Sequence, residues 1–367
     1  MILKKIVLTN FKNYEYQKLD LSTGLNCFVG QNGSGKTNLL DAIYYLCMCK
    51  SYFSMPDSAI IRKSTDFFRL EGQFENNKDK ETIVAKNRQR TKKVIERNGV
   101  PYQKLSDHVG FIPVVMIAPD DTSLAKEGSE ERRKFINNTL SQLDNQYLSN
   151  LIRYNKVLSH RNAALKQFGK TGKVDYRLID TYDSQMIAPA AYIHQMRKDF
   201  VMTLQPLLYH HYAVISSERE AISCMYKSAL NEMPFEDILL RSREKDVLLQ
   251  RSTAGIHKDD LVFKINDDPI KRFGSQGQLK SFVLSLKLAQ FDLIREGCGK
   301  PPLLLLDDIF DKLDEKRVKQ LLTLLQDGNF KQVFITDTHE ERVKTILGNF
   351  SKASLVFRVT AGTAKPT

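Results

Sequence analysis

The run Gly30-Gln31-Asn32-Gly33-Ser34-Gly35-Lys36-Thr37 follows the G-x-x-x-x-G-K-[ST] pattern of a phosphate-cradling P-loop. Its glycines let backbone N–H groups turn inward around a triphosphate, and a following helix adds positive potential at its first turn. In that chemistry the Lys36 ammonium reaches the β- and γ-phosphate oxygens, and the Thr37 hydroxyl ligates Mg²⁺. Far downstream, Leu303-Leu304-Leu305-Leu306-Asp307-Asp308 is an apolar run that ends in two carboxylates. A buried parallel strand reads this way when acids emerge at its C-terminal end. Asp307 then helps hold the metal, and Asp308 orients or deprotonates the attacking water. The alternative for the first motif is a plain glycine turn between a strand and a helix.

These residues need a strand before the loop, a helix after it and a second buried strand beside it. Leu25-Asn26-Cys27-Phe28-Val29 supplies the first, and Asn38 to Leu46 has helix-like apolar spacing. At 367 residues, 42% hydrophobic and 27% charged, the chain has the composition of a globular protein with one large core or two smaller ones. No apolar run is long enough to span a membrane, and Met1-Ile2-Leu3-Lys4-Lys5-Ile6 reads as a strand in place of a signal peptide. Five scattered cysteines, with only Cys47 and Cys49 close together, argue against zinc and for buried reduced thiols in the cytoplasm. A formal charge of +12 points to a polyanionic partner, nucleic acid first, or to a basic solvated surface.

Apolar and polar residues alternate over 2–29, as in two or three short strands, and Arg69–Phe74 and Glu81–Ala85 read as further strands. Lys86, Arg88, Arg90 and Lys92 fall on alternate positions, which puts them on one strand face before a turn at Asn98-Gly99. Such a face either contacts DNA phosphates or blunts a sheet edge. Ile112 to Ala118 holds apolar residues enough for two strands. From about residue 120 the pattern becomes helical, with an amphipathic helix over Ser129–Leu143. Residues 145–174 contain no acid. There Leu151, Leu158 and Leu165 form an apolar stripe, and Arg153, Lys156 and His160 lie opposite it, as a DNA-contacting or merely solvated face. Pro189 and Pro206 interrupt or kink helices over 178–212, strands return at Tyr212–Ser216, Ala221–Tyr226 and Leu261–Ile265, and a charged helix spans Phe235 to Gln250.

Most of the chain separates Lys36 from Asp307, and Ser275-Gln276-Gly277-Gln278 precedes a helical pattern over Leu279 to Ile294. A serine hydroxyl and a glycine N–H at a helix start form an anion site, although Ser-x-x-Gln is also a capping box. A split site with this extra motif resembles the ATP-binding-cassette ATPases of the SMC/Rad50/RecF class. The likeness narrows to the RecF family on Asn10-Phe11-Lys12-Asn13-Tyr14, the P-loop with Asn38 to Ile43, Asn98-Gly99, Pro119-Asp120-Asp121 and Arg132-Arg133. It continues through Tyr154, Leu158, Arg161-Asn162, Gly255-Ile256-His257-Lys258-Asp259-Asp260-Leu261, the Ser275 motif and Asp307-Asp308-Ile309-Phe310.

The resemblance implies an α/β, ABC-type P-loop ATPase head, lobe I, formed by residues 1–118 plus 253–367. A helical arm, lobe II, is inserted over 119–252. It implies ATP and Mg²⁺ as ligands, with nucleotide contacts from Gly30, Gln31, Asn32, Gly33, Ser34, Gly35, Lys36 and Thr37. Ser275, Gly277 and Gln278 complete the site from a second subunit of an ATP-dependent homodimer. Asp308, Lys36 and Ser275 are the catalytic candidates, and Thr37 and Asp307 the metal ligands. Family members clamp double-stranded, gapped or junction DNA with slow, DNA-stimulated ATP hydrolysis. With RecO and RecR they promote RecA loading on gaps coated with single-strand-binding protein, and so support repair, replication restart and the SOS response. This chain departs from the family pattern at Ile256 and Lys258, and Asp311-Lys312-Leu313-Asp314 stands where a Ser-Glu-Leu-Asp type of loop is typical. Thr336-Asp337-Thr338-His339 occupies the switch position after a buried strand. A transporter ATPase subunit and a nuclease-coupled ATPase are the other class members that such motifs allow; neither a membrane partner nor a further acidic domain is suggested by the sequence.

Overall fold

The structure, a computed structural model, describes residues 1–76, 79–216, 220–310, 315–327, 330–348 and 353–367. The Asp311-Lys312-Leu313-Asp314 departure falls outside them. Strands and helices group into two compact units, Met1–Thr122 with His211–Ser217 and Gln276–Thr367, and Ser123–His210 with Glu218–Ser275.

The first unit begins with strands β1 (Ile2–Phe11), β2 (Tyr14–Asp20) and β3 (Leu25–Val29), then the helix Lys36–Met48. Strands β4 (Phe67–Asn76), β5 (Asp79–Arg88), β6 (Val94–Arg97), β7 (Val100–Pro101) and β8 (Val114–Ile117) follow. One antiparallel sheet runs β2-β1-β4-β5-β6-β7. Along β4 buried and half-buried residues alternate, as expected for a sheet with one face on the core. The helix Lys36–Met48 is buried nearly all round, and its Leu39, Leu40, Ile43 and Tyr44 join one core with Leu8, Leu70, Met116, Leu305 and Phe334. Helices apolar on every side belong inside, and this one stands within the core that both sheets share.

Strands β9 (Ile222–Lys227), β10 (Asp260–Ile265) and β11 (Asp268–Pro269) form a small antiparallel sheet in the second unit. Strands β12 (Leu303–Leu306), β13 (Val333–Asp337), β14 (Ser354–Thr360) and β15 (Thr363–Pro366) complete the sheet of the first, ordered β15-β14-β3-β13-β12-β8. Its pairs are parallel except the edge pair β14–β15. Every residue of β3, β8, β12 and β13 is buried, which is why β8 and β12 read as unbroken apolar runs and β3 as one interrupted by Asn26. Thus the apolar run Ile112 to Ala118 makes one strand, not two.

In the second unit the helices Ser129–Leu143, Asn145–Thr171 and Phe235–Leu249 stand where periodicity puts them. Tyr212–Ser216, expected as a strand, is the end of one helix, Tyr176–Ser216, with Pro189 and Pro206 inside it. Buried Leu204, Leu208, Tyr212 and Ile215 recur at the helical period, so a single face carries them. The expected arm boundary at 252/253 also shifts: residues up to Ser275 group with the second unit, because β10 pairs along its length with β9.

Polar side chains hold this unit. Arg161, fully buried, donates to Asp183 at 2.7 Å, to Asp246 at 2.7 Å and to the Ser252 hydroxyl at 2.8 Å. Asn162 accepts from the backbone N–H of Ser252 at 2.7 Å. Arg197 donates to Asp259 at 2.6 Å, the Tyr154 hydroxyl lies 2.8 Å from His257 Nδ1, and Arg132 donates to Asp260 at 2.7 and 3.0 Å. Burial lowers the His257 pKa to about 4, so that ring is neutral at pH 7. The Arg161-Asn162 and Gly255-to-Asp260 segments are therefore anchors of the fold. Cys27, Cys47, Cys49 and Cys224 are buried free thiols, and Cys298 is half-buried. Among the described residues no helix is long and apolar enough to cross a membrane.

Candidate functional site

The loop between β3 and the helix Lys36–Met48 is shaped by its glycines. Gly33 and Gly35 take φ values of +78° and +115°, which side chains with a Cβ rarely adopt. A Cβ at Gly30 would stand 2.2 Å from the carbonyl oxygen of Val359, so β14 closes on the loop only because position 30 is bare. The loop is braced from outside by residues whose role the sequence did not disclose. Tyr14 donates its hydroxyl to the Gly35 carbonyl at 3.0 Å, and the Asn13 amide donates to the Ser34 carbonyl at 3.2 Å. Gly362 N–H donates to the same carbonyl at 3.0 Å. Their contacts explain why Asn10 to Tyr14 forms a recognisable segment.

Inside the loop, Lys36 Nζ donates to the carbonyls of Gly30 at 2.8 Å and Gln31 at 3.3 Å and lies 3.8 Å from Asp308 Oδ2. Thr37 donates to the Asp307 carboxylate, with separations of 2.9 and 3.0 Å to its two oxygens. The sheet order explains this meeting. Strand β13 lies between β3 and β12, so the ends of three parallel strands present the loop, Thr336 and the two aspartates side by side. Thr336 Oγ1 lies 2.8 Å from Asp307 Oδ1 and accepts from the backbone N–H of Asp308 at 2.8 Å. That bond ties down an Asp308 backbone at φ +41°, an unusual value for a residue with a Cβ. Burial, reinforced by the Asp308 carboxylate, pushes the Asp307 carboxyl up to about 6 against the pull of the Thr336 and Thr37 hydroxyls and Lys36.

The structure thus brings Lys36, Thr37, Asp307 and Asp308 together. The remaining nucleotide-site candidates are Ser275, Gly277 and Gln278. Those three stand at the start of the helix Gln276–Cys298, Ser275 exposed and the other two half-buried. The residues fit a triphosphate. Ser34 Oγ is buried in the cradle with no hydrogen-bond partner among the described residues, and Lys36 Nζ bonds the Gly30 carbonyl there. A hydroxyl and a carboxylate in contact at Thr37 and Asp307 are the hard oxygen donors that Mg²⁺ takes beside phosphates. At the switch segment, His339 N–H and the Arg342 guanidinium both bond the Asp337 carboxylate.

The basic candidates are dispersed. Lys86 and Arg88 lie on β5, but Arg90, at φ +63°, and Lys92 belong to the reversal before β6. The expected continuous basic strand is broken because a chain reversal needs left-handed backbone. Lys86 pairs with Glu96 at 2.5 Å and Arg88 with Asp66 at 2.9 Å. Arg153 and Lys156 are exposed on the helix Asn145–Thr171. Its buried stripe runs through Tyr154, Val157, Arg161, Leu165 and Phe168. Leu151 and Leu158 are only half-buried.

Comparison with known proteins follows this geometry. The family described as RecF/RecN/SMC N terminal domain matches residues 2–364. A protein of Flavobacterium johnsoniae called DNA replication and repair protein RecF is 43% identical over 359 residues, 98% of this chain and 100% of its own. A protein of the same name from Phocaeicola vulgatus is 43% identical over 364 residues, 99% of this chain and 97% of its own. Among solved structures, the recombination mediator protein RecF with ATP, in the RecFOR pathway, superimposes with a TM-score of 0.88 at 28% identity, covering 100% of this chain and 97% of that one. An Smc head domain from Pyrococcus furiosus, 17% identical with a TM-score of 0.55, covers 100% of this chain and 96% of that one and shares the fold.

Proposed function

The chain belongs to the RecF/RecN/SMC N terminal domain family, and on that footing we propose that it is an ATP-dependent DNA-binding protein of recombinational repair. Its fold is an α/β ABC-type ATPase head with a helical arm. The observation that carries the reading is the contact of Thr37 with Asp307, which joins the P-loop to the acidic strand end and leaves Asp308 beside Lys36. Gly30 to Thr37 would hold the ATP phosphates. Mg²⁺, held by Thr37 and Asp307, would offset phosphate charge. Asp308 is the acceptor for the proton of the attacking water. Ser275, Gly277 and Gln278 complete the site from a second copy, so ATP closes a dimer on duplex, gapped or junction DNA and slow hydrolysis opens it. Working with RecO and RecR, the clamp promotes RecA loading on gaps held by single-strand-binding protein. Replication restart and SOS induction follow from that loading.

The charge of +12 supports phosphate contacts, with Lys86, Arg88, Arg90, Lys92, Arg153 and Lys156 as contributors. Sedimentation with ATP, with ADP and with a gapped duplex tests the whole reading. A dimer that forms with ATP only, and a DNA complex that weakens steeply with salt, are expected; a monomer in every condition would remove the clamp.

The Asp307 carboxyl supplies a second check. It titrates near 6 and binds a cation only when ionised, so Mg²⁺-dependent turnover is expected to fall as pH drops through about 6. Raising the Mg²⁺ concentration should move that fall to lower pH, because cation and proton compete for one carboxylate. A profile flat from pH 7 to 5 at limiting Mg²⁺ would exclude Asp307 as a ligand.

A further inference from the structure

The antiparallel sheet β2-β1-β4-β5-β6-β7 packs one face on the core and leaves the other open. Residues directly opposite on paired strands share a face. The register therefore sets Tyr16, Thr9, Arg69, Lys86 and Val94 in one row across five strands. Phe67, two residues before Arg69 and opposite Arg88, stands on the same face. Tyr16 is 62% exposed and Phe67 38% exposed, and neither ring touches another aromatic ring among the described residues. Tyr16 and Phe67 are two strands and two residues apart, about 12 Å from strand spacings. A cleft of about 250 Å³ opens beside Phe67, lined also by Lys86, Arg88, Thr91, Lys92 and Val94.

The charges on this face choose between ligands. Arg69 is bonded to Glu71, Lys86 to Glu96 and Arg88 to Asp66, while Arg90 and Lys92 in the adjoining turn form no ion pair among the described residues. Glu71, Glu96 and Asp66 offset part of that charge, so phosphate contacts alone give the face no preference for a duplex over a single strand. A duplex also keeps its bases stacked on each other, so it offers the two rings nothing to cover. An unpaired strand offers both, since its bases are free to stack and its phosphates pass the cations between the rings.

We propose that this open face is a stacking platform for the unpaired bases of single-stranded DNA, a site that rests on the DNA-binding function above and gives it a preference at gaps. One base covers Phe67 and another covers Tyr16, while Arg69, Arg90 and Lys92 follow the backbone between and beyond them. Every base has a π face, so no sequence preference is expected.

The test is fluorescence anisotropy of the full chain, with ATP and Mg²⁺, on a labelled oligo(dT) strand, a blunt duplex and a gapped duplex. Tyr16→Ala combined with Phe67→Ala is expected to weaken binding of oligo(dT) on the order of tenfold for each ring removed and to leave the blunt duplex unchanged. Tyr16→Phe combined with Phe67→Tyr keeps both π faces and should bind all three probes as the parent chain does. Unchanged oligo(dT) binding in the double alanine variant overturns the platform, as does an equal loss on strand and duplex. A parent chain that binds duplex but no single strand also overturns it, and leaves the DNA-binding function standing. A parent chain that binds none of the three probes removes that function and the platform with it.

Discussion

Asp308→Asn is expected to slow ATP turnover about 10²- to 10⁴-fold, the usual worth of a positioned general base, while ATP remains bound. The substitution keeps size and shape but cannot accept a proton from water. It also suits the backbone, since asparagine tolerates the φ of +41° at this position better than most residues. The bond from the Asp308 N–H to Thr336 Oγ1, 2.8 Å long, belongs to the main chain and survives the change. Removing a carboxylate 3.8 Å from Lys36 frees that ammonium for phosphate oxygens. The variant should therefore accumulate as an ATP-bound dimer, read by sedimentation together with a phosphate-release assay. A variant that stays monomeric with ATP would show that nucleotide does not bridge two subunits.

The second large effect is on stability and lies far from the phosphates in sequence. Arg161→Met should cost about 3–5 kcal/mol, the range for breaking a buried ion pair by removing one partner. The guanidinium is fully buried between Asp183 and Asp246, themselves 6% and 0% exposed. Methionine fills much of the space but removes the cation between the two carboxylates, leaving Asp183 the longer contact to Arg243 at 3.5 Å. Asp246 keeps the Thr253 N–H at 2.8 Å and the Thr253 hydroxyl at 2.6 Å, bonds that do not replace a full positive charge beside a buried carboxylate. Urea unfolding followed by circular dichroism measures the shift. A shift below about 1 kcal/mol would mean that the triad is dispensable, as an exposed pair would be.

Sequence and structure agree where one local rule decides the outcome. Spacing alone placed the glycine loop between a strand and a helix, because the glycines and Lys36-Thr37 act on the backbone within a single turn. The all-buried strands β3 and β12 were legible as apolar runs, broken only by Asn26, for the same reason. Legibility failed where two local rules competed. Tyr212–Ser216 carries β-forming residues, yet the helix begun at Tyr176 continues through it, because burial of Tyr212 and Ile215 on one helical face outweighs strand propensity. Lys86 to Lys92 alternates like a strand, yet the β5–β6 pairing requires a reversal there, and Arg90 turns left-handed to make it. On the helix Asn145–Thr171 a leucine stripe suggested the buried face. The arginine between Asp183 and Asp246 shows that burial also follows polar partners supplied by other segments.

By itself the sequence determined which chemical groups this protein owns: a glycine-rich loop ending in Lys36 and Thr37, two carboxylates at Asp307 and Asp308, and a basic surplus. Side-chain type and short-range spacing are properties of neighbouring residues, so they can be read along one dimension. Tertiary structure alone decided that β13 separates β3 from β12, which sets Thr336 against both aspartates and Thr37 against Asp307 across most of the chain. It alone decided that Tyr16 and Phe67 share an open sheet face. Strand order and register depend on how distant segments compete to bury the same core, and no local pattern carries that information.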